Sequence, residues 1–135
     1  MSSDIRNLHG ALSWGELMTP DPSAAVKFYE KVLGWRAEEM EMPDGMGKYT
    51  VFATASGKQV AGAMLPPPNV PAGTPPHWAI YVTVDDVDAA AEAATEGGGT
   101  ILLPPTDVPG VGRMCHILDP QNAMIALITY EKPFE

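Results

Sequence analysis

A single cysteine, Cys115, stands in the 135 residues. That excludes an intrachain disulfide and a cysteine-rich zinc site. Basic residues are also scarce: eight Lys and Arg against 17 Asp and Glu give a formal net charge of −9. No basic cluster occurs, and the phosphate term of nucleic-acid or anionic-membrane binding would be repulsive. No run approaches the roughly 20 apolar residues that a membrane-spanning helix needs. The start, Met1-Ser-Ser-Asp-Ile-Arg-Asn7, has no apolar core of the secretory kind, so the cytoplasm is the expected compartment. No Ser-His-Asp order, phosphate-binding glycine loop or nucleotide fingerprint is present. The expectation is a small-molecule ligand, with neither nucleic acid nor membrane as partner.

The apolar fraction, 45%, is ordinary for a globular chain and suits one domain. Its organising stretch runs from Leu17 to Trp35. Asp21 is placed to accept from the free N–H groups of a first helical turn. Pro22 follows at the first helical position, where a missing N–H costs nothing. Ala25, Phe28, Tyr29, Val32 and Leu33 then form the stripe of a helix with one buried face. Gly34 suits the left-handed position that stops it. The spacing predicts a helix over 22–33.

The pattern occurs twice. An offset of 65 carries Asp21 onto Asp86, Ala24 and Ala25 onto Ala89 and Ala90, and Gly34 onto Gly99. A second helix is expected over 86–97. Strand-like segments flank both helices, at about 9–18, 35–42, 49–55 and 58–65 in the first copy. In the second they lie at about 77–84, 100–103, 112–118 and 123–130. Pro43-Asp-Gly-Met-Gly47, Ser56-Gly57 and Asp119-Pro-Gln-Asn122 read as turns, and Pro104-Pro105 as a break. Six prolines within 66–76 exclude an interior strand or helix. Extended, that segment reaches about 30 Å and can join the copies. The expected organisation is a flexible tail at 1–8, a module at 9–65, a proline-rich linker at 66–76 and a module at 77–130. The fold class is α+β, with two βαβββ modules.

Several short motifs occur in a specific order: Trp14-Gly-Glu-Leu-Met-Thr-Pro-Asp21, Ala24-Ala25 with Phe28-Tyr29, Leu33-Gly-Trp35, Val60-Ala-Gly-Ala-Met64, His77-Trp-Ala-Ile-Tyr81, Gly112-Arg113 and Asp119-Pro-Gln-Asn-Ala123. Together they resemble the vicinal oxygen chelate superfamily, the glyoxalase, bleomycin-resistance and extradiol dioxygenase group, over about residues 9–130. The resemblance implies paired βαβββ modules whose curled sheets form a cleft, and frequent homodimers. It suggests the glyoxalase-like branch.

Metal-using members of that group place His, Glu or Gln on inward strand positions, on the first and last strands of each module. By resemblance those positions fall at Trp14, at Ala61 or Gly62, at Ala79 and at Ala126. None is a side-chain ligand, so no metal and no cofactor is expected. Glu16, His77 and His116 offer a displaced alternative.

Glu16 sits between Trp14 and Met18 on a face otherwise apolar, where a carboxylate is costly unless paired or hydrated. Burial would suit it to act as a general base. Tyr81 falls at the repeat equivalent of Glu16, so the two are the catalytic candidates; structural pairing and ordinary packing are the duller alternatives. Trp14, Met64, His77, Ala79, Met124 and Ala126 are expected to line the ligand cleft by strand parity. Arg113 is a candidate clamp for an oxyanion, with a surface ion pair as its alternative. A homodimer is expected. Two functions remain open: a metal-independent lyase, isomerase or hydroxylase using a Glu base, and non-catalytic sequestration of a drug or metabolite.

Overall fold

The computed structural model describes residues 4–42, 47–68 and 70–135. It is an α+β fold of two βαβββ modules, and the chain forms two compact units. One is Trp14–Trp78; the other joins the chain up to Ser13 to Ala79–Glu135.

The first module comprises β1 (Leu12–Met18), α1 (Pro22–Leu33), β2 (Arg36–Glu41), β3 (Lys48–Ala53) and β4 (Gln59–Met64). Its sheet order is β2-β3-β4-β1, with β1 parallel to β4. A parallel pair of this kind needs a long crossover, which α1, β2 and β3 supply. The Asp21 carboxylate accepts from Ala24 N–H at 3.1 Å, and Gly34 ends α1 at φ 70°. Leu17, Phe52, Ala61 and Ala63 form the core under α1, with Ala25, Val26 and Tyr29 packed against them. The expected buried stripe is only partly buried. Phe28, Val32 and Leu33 are 59%, 57% and 52% exposed. The Tyr29 ring takes the contact with the sheet, meeting Trp35, Phe52 and Trp78, and leaves those three on the outer side.

The second module comprises β5 (His77–Thr83), α2 (Val87–Glu96), β6 (Thr100–Val108), β7 (Gly112–Leu118) and β8 (Met124–Tyr130). Its order is β5-β8-β7-β6, with β5 parallel to β8. Asp86 caps α2 through Ala89 N–H at 3.1 Å. Val84, Val87, Ala91, Cys115 and Leu127 make the core, joined by Val82, Ile101 and Ile117.

Three expectations shift here. The left-handed stop of α2 is Gly98 at φ 91°, not Gly99, so the offset between copies falls from 65 to 64 within the helix. Pro104-Pro105 does not break the chain: β6 runs through it, with register shifts at that point. A strand paired on one side only tolerates the missing N–H groups. Ile80, which strand parity with Val82 predicts to lie under α2, is 44% exposed. It lies two residues before Val82, about 7 Å further from the end of β5 that α2 covers.

The segment expected as a tail carries a 3-10 turn, Ile5–Asn7, capped by Asp4. The Arg6 guanidinium lies 4.0 Å over the Phe134 ring, and Asn7 exchanges two hydrogen bonds with the Phe134 backbone. The turn expected over 43–47 lies, save Gly47, outside the described residues, as does Asn69 of the linker.

Candidate functional site

Strand alternation puts Leu17, Phe52, Ala61 and Ala63 toward α1. It therefore puts Glu16, Tyr49, Val51, Gly62 and Met64 on the other face of the same sheet. Register pairs Glu16 with Gly62 and Gly62 with Val51. This decides between the two last-strand positions: Gly62 shares the face of Glu16, and Ala61 packs under the helix.

Glu16 is 7% exposed. The Tyr49 O–H donates to Glu16 Oε2 at 2.9 Å, and Trp14 Nε1–H donates to the Tyr49 oxygen at 2.9 Å. A hydroxyl that both accepts and donates is polarised by its donor, which strengthens the bond it makes to the carboxylate. The chain Trp14–Tyr49–Glu16 thus lies along one face. The Tyr49 ring lies over Gly62, where a β-carbon would collide with the phenol.

The second module repeats the arrangement with other residues. Tyr81 and His116 both stand in register with Ala126, on the face away from α2. The Tyr81 hydroxyl is 3.3 Å from His116 Nε2, and the rings meet edge to face. Both side chains are buried. Burial pushes the imidazole down to about 4, so it is neutral near pH 7. Tyr81 donates to Nε2 in the tautomer that leaves this nitrogen unprotonated.

The remaining candidates fall as follows. Ala79 and Ala126 are buried, while Met64 and Met124 are half-buried. His77 Nδ1 is 2.9 Å from the Pro75 carbonyl oxygen at the start of β5. Arg113 lies on the α2 side: its guanidinium holds both Asp88 oxygens, at 2.8 and 2.9 Å, and Asp107 at 3.1 Å. Those bonds raise the pKa of Arg113 and lower that of Asp88. Cys115 is buried in the core, which pushes its thiol up and makes it a poor nucleophile.

Tyr49 is the candidate-site residue that the sequence reading leaves out; Gly62 enters it only as a ligand position and His116 only as an alternative metal ligand. The legible signal was Gly62. Glycine inside a strand commonly marks the close approach of another group, and Tyr49 is on the matching face of the neighbouring strand.

The description "Glyoxalase/Bleomycin resistance protein/Dioxygenase superfamily" fits residues 11–127, nearly the whole chain. The chain belongs to this superfamily. It is 42% identical over 118 residues to CFP32 of Mycobacterium bovis, a protein named provisionally as a glyoxylase. It is 35% identical over 129 residues to the anthracycline biosynthesis protein DnrV of Streptomyces peucetius. Each match takes in 87% of this chain but only 45% and 46% of those proteins, so the chain spans about half their length. Among solved structures, methylmalonyl-CoA epimerase of Mycobacterium tuberculosis superposes with a TM-score of 0.66 at 18% identity, covering 91% of this chain and 89% of that one. A methylmalonyl-CoA epimerase bound to methylmalonyl-CoA gives 0.67 at 17% identity, covering 95% and 99%. At such identities the likeness establishes the fold.

The superfamily's metal does not fit these residues. The positions that resemble its ligand positions are occupied by Trp14, Gly62, Ala79 and Ala126, none of them a donor. The room above Gly62 is taken by the Tyr49 phenol, and the Tyr81–His116 pair closes over Ala126. Among the described residues, no three His, Cys, Asp or Glu side chains are grouped to hold an ion.

Proposed function

We propose that this superfamily member binds a small organic molecule carrying a cationic or proton-donating group, and that Glu16 orients it. The observation that carries this reading is the Trp14–Tyr49–Glu16 chain: a carboxylate 7% exposed, hydrogen-bonded by a phenol and lying beside aromatic rings. Burying such a group costs several kcal/mol unless it is well partnered. A site that retains it on a sheet face has the acceptor needed to recognise a donor. Met64 supplies adaptable apolar surface on the same face. In the second module Tyr81 and neutral His116, with Met124 and Ala126 beside them, provide a second polar pair in an apolar setting.

Any chemistry at the first module's groups is acid–base and independent of metal, of the lyase, isomerase or hydroxylase kind, with Glu16 as the base; Tyr81 is the proton-donor candidate of the second module. Non-catalytic sequestration of a drug or metabolite is the second reading. The net charge of −9 suits it, because sequestration needs only shape and charge to hold a cation. The proposed compartment is the cytoplasm. No helix of the described residues is long and apolar enough to cross a membrane.

The proposed assembly is a homodimer. Phe28, Val32 and Leu33 leave an apolar stripe exposed on α1, of the kind that self-association covers. The available sheet edges are less suited to it. β2 carries Glu38, Glu39 and Glu41 and β6 carries two prolines, both devices that discourage edge pairing.

A thermal-shift screen of small ammonium compounds against their neutral counterparts tests the ligand reading. The expected result is stabilisation by the ammonium compounds that disappears in Glu16→Gln. Equal responses of the two proteins would overturn it. Turnover of a bound compound by the parent protein, lost in Glu16→Gln, would favour the enzyme over the sequestering protein.

A further inference from the structure

Glycine inside a strand contributes no packing and loses more conformational entropy on folding than any other residue. Gly62 lies in the middle of β4, and its φ is outside the left-handed region that demands glycine. The backbone therefore does not explain it. The neighbouring side chain does. A β-carbon at position 62 would run into the hydroxyl and ring carbons of Tyr49. That same hydroxyl accepts from Trp14 and donates to Glu16.

We propose that Gly62 and Tyr49 are a coupled pair of positioning residues for Glu16. Gly62 leaves the space in which the phenol lies, and the phenol holds Glu16 Oε2 so that the carboxylate keeps one direction. The proposal rests on the reading of Glu16 as the group that orients the ligand. A glutamate side chain has three torsions to fix, and an unheld carboxylate spreads its charge over many geometries. The bond from Tyr49 restricts that freedom, and the bond from Trp14 restricts Tyr49 in turn.

Two kinds of change break the arrangement from opposite ends. Tyr49→Phe keeps the ring and deletes the hydroxyl. Gly62→Ala keeps the hydroxyl and denies it room. Binding of benzylammonium, with benzyl methyl ether as its neutral counterpart without a donor, is measured by calorimetry on the whole chain. The parent protein is expected to prefer the ammonium compound. Each substitution is expected to weaken benzylammonium about tenfold, the scale of one hydrogen bond to a charged group, and to leave benzyl methyl ether within about twofold.

The coupling has its own readout in both affinity and melting midpoint. Gly62→Ala should be costly in the parent and neutral in a Tyr49→Ala background, because the obstructed ring is gone. Failure of Gly62→Ala to fold, with folding restored by Tyr49→Ala, supports the pair equally. Equal cost of Gly62→Ala in both backgrounds overturns it. So does an unchanged ammonium preference in Tyr49→Phe and Gly62→Ala while Glu16→Gln abolishes that preference; the Glu16 reading then survives alone. A parent protein without ammonium preference, or one whose preference persists in Glu16→Gln, overturns both.

Discussion

The phenol of Tyr49 lies over Gly62 and donates its hydroxyl proton to Glu16 Oε2 at 2.9 Å. Glu16 and Gly62 are register partners on parallel strands, so the three residues form one unit across β1, β4 and β3. The counterpart in the other module is Tyr81 with His116, in register with Ala126. In both modules a small residue sits on the last strand and a hydrogen-bonded polar pair closes over it.

Removing the Tyr49 hydroxyl takes one donor away from a buried carboxylate. Tyr49→Phe is expected to lower the unfolding free energy by about 1–3 kcal/mol. Urea denaturation at neutral pH, with the slope unchanged, measures it. Pairing the change with Glu16→Gln should recover part of the loss, because the amide needs less from its partner than the carboxylate does.

His116 sets an acid dependence. Its folded pKa of about 4 lies below the ordinary 6.5, because burial penalises the imidazolium. As the pH falls, the unfolded chain takes up this proton before the folded one does. The contribution of neutral His116 is therefore whole above about pH 6.5, is lost as the pH falls toward 4, and levels off below that. A shift of this size amounts to on the order of 3 kcal/mol. Urea unfolding across that window should show the slope, and His116→Gln should flatten it. A slope unchanged by the substitution would place the titration elsewhere.

The helix caps offer a comparison between modules. Asp21→Ala and Asp86→Ala each remove one side-chain acceptor at a helix start. Each should cost about 1 kcal/mol. The two losses should add in the double variant, because the caps share no partner. Thermal melts of the four proteins check this.

The exposed stripe on α1 predicts self-association. Light scattering at micromolar concentration should give the mass of two chains, and Val32→Glu should reduce it to one without lowering the melting midpoint. A monomeric parent protein would remove the homodimer from the account.

Much of the fold was legible in the sequence because its signals are local. Asp21-Pro22 and Asp86 mark the helix starts, and Gly34 marks a stop. The repeat of these features is enough to predict two βαβββ modules. The errors were also physical. An offset of 65 held through the helix predicts Gly99 as the second stop, whereas α2 is shorter and Gly98 turns the chain. Pro104-Pro105 read as a break because proline usually ends a strand; a one-sided pairing lets β6 continue. Phe28, Val32 and Leu33 fit a helical period, but period cannot say that the Tyr29 ring occupies the sheet contact instead.

The site was legible in part. Glu16 and Tyr81 stand out because a polar group interrupts an apolar face or repeats it one module later. Their partners do not. Tyr49 is 33 positions from Glu16 and His116 is 35 from Tyr81, and only strand register brings them together. Arg113 is a charged residue whose role depends on Asp88 and Asp107, which α2 and β6 bring to it. Sequence spacing gives neither neighbour.

The most direct measurement is a crystal structure of the protein with the ammonium compound that stabilises it most. A donor nitrogen of the ligand is expected within about 3.2 Å of a Glu16 carboxylate oxygen, with the Tyr49 bond to Oε2 retained. A ligand bound without contact to Glu16, or one that displaces Tyr49 to reach a metal ion held at Gly62, would contradict this expectation.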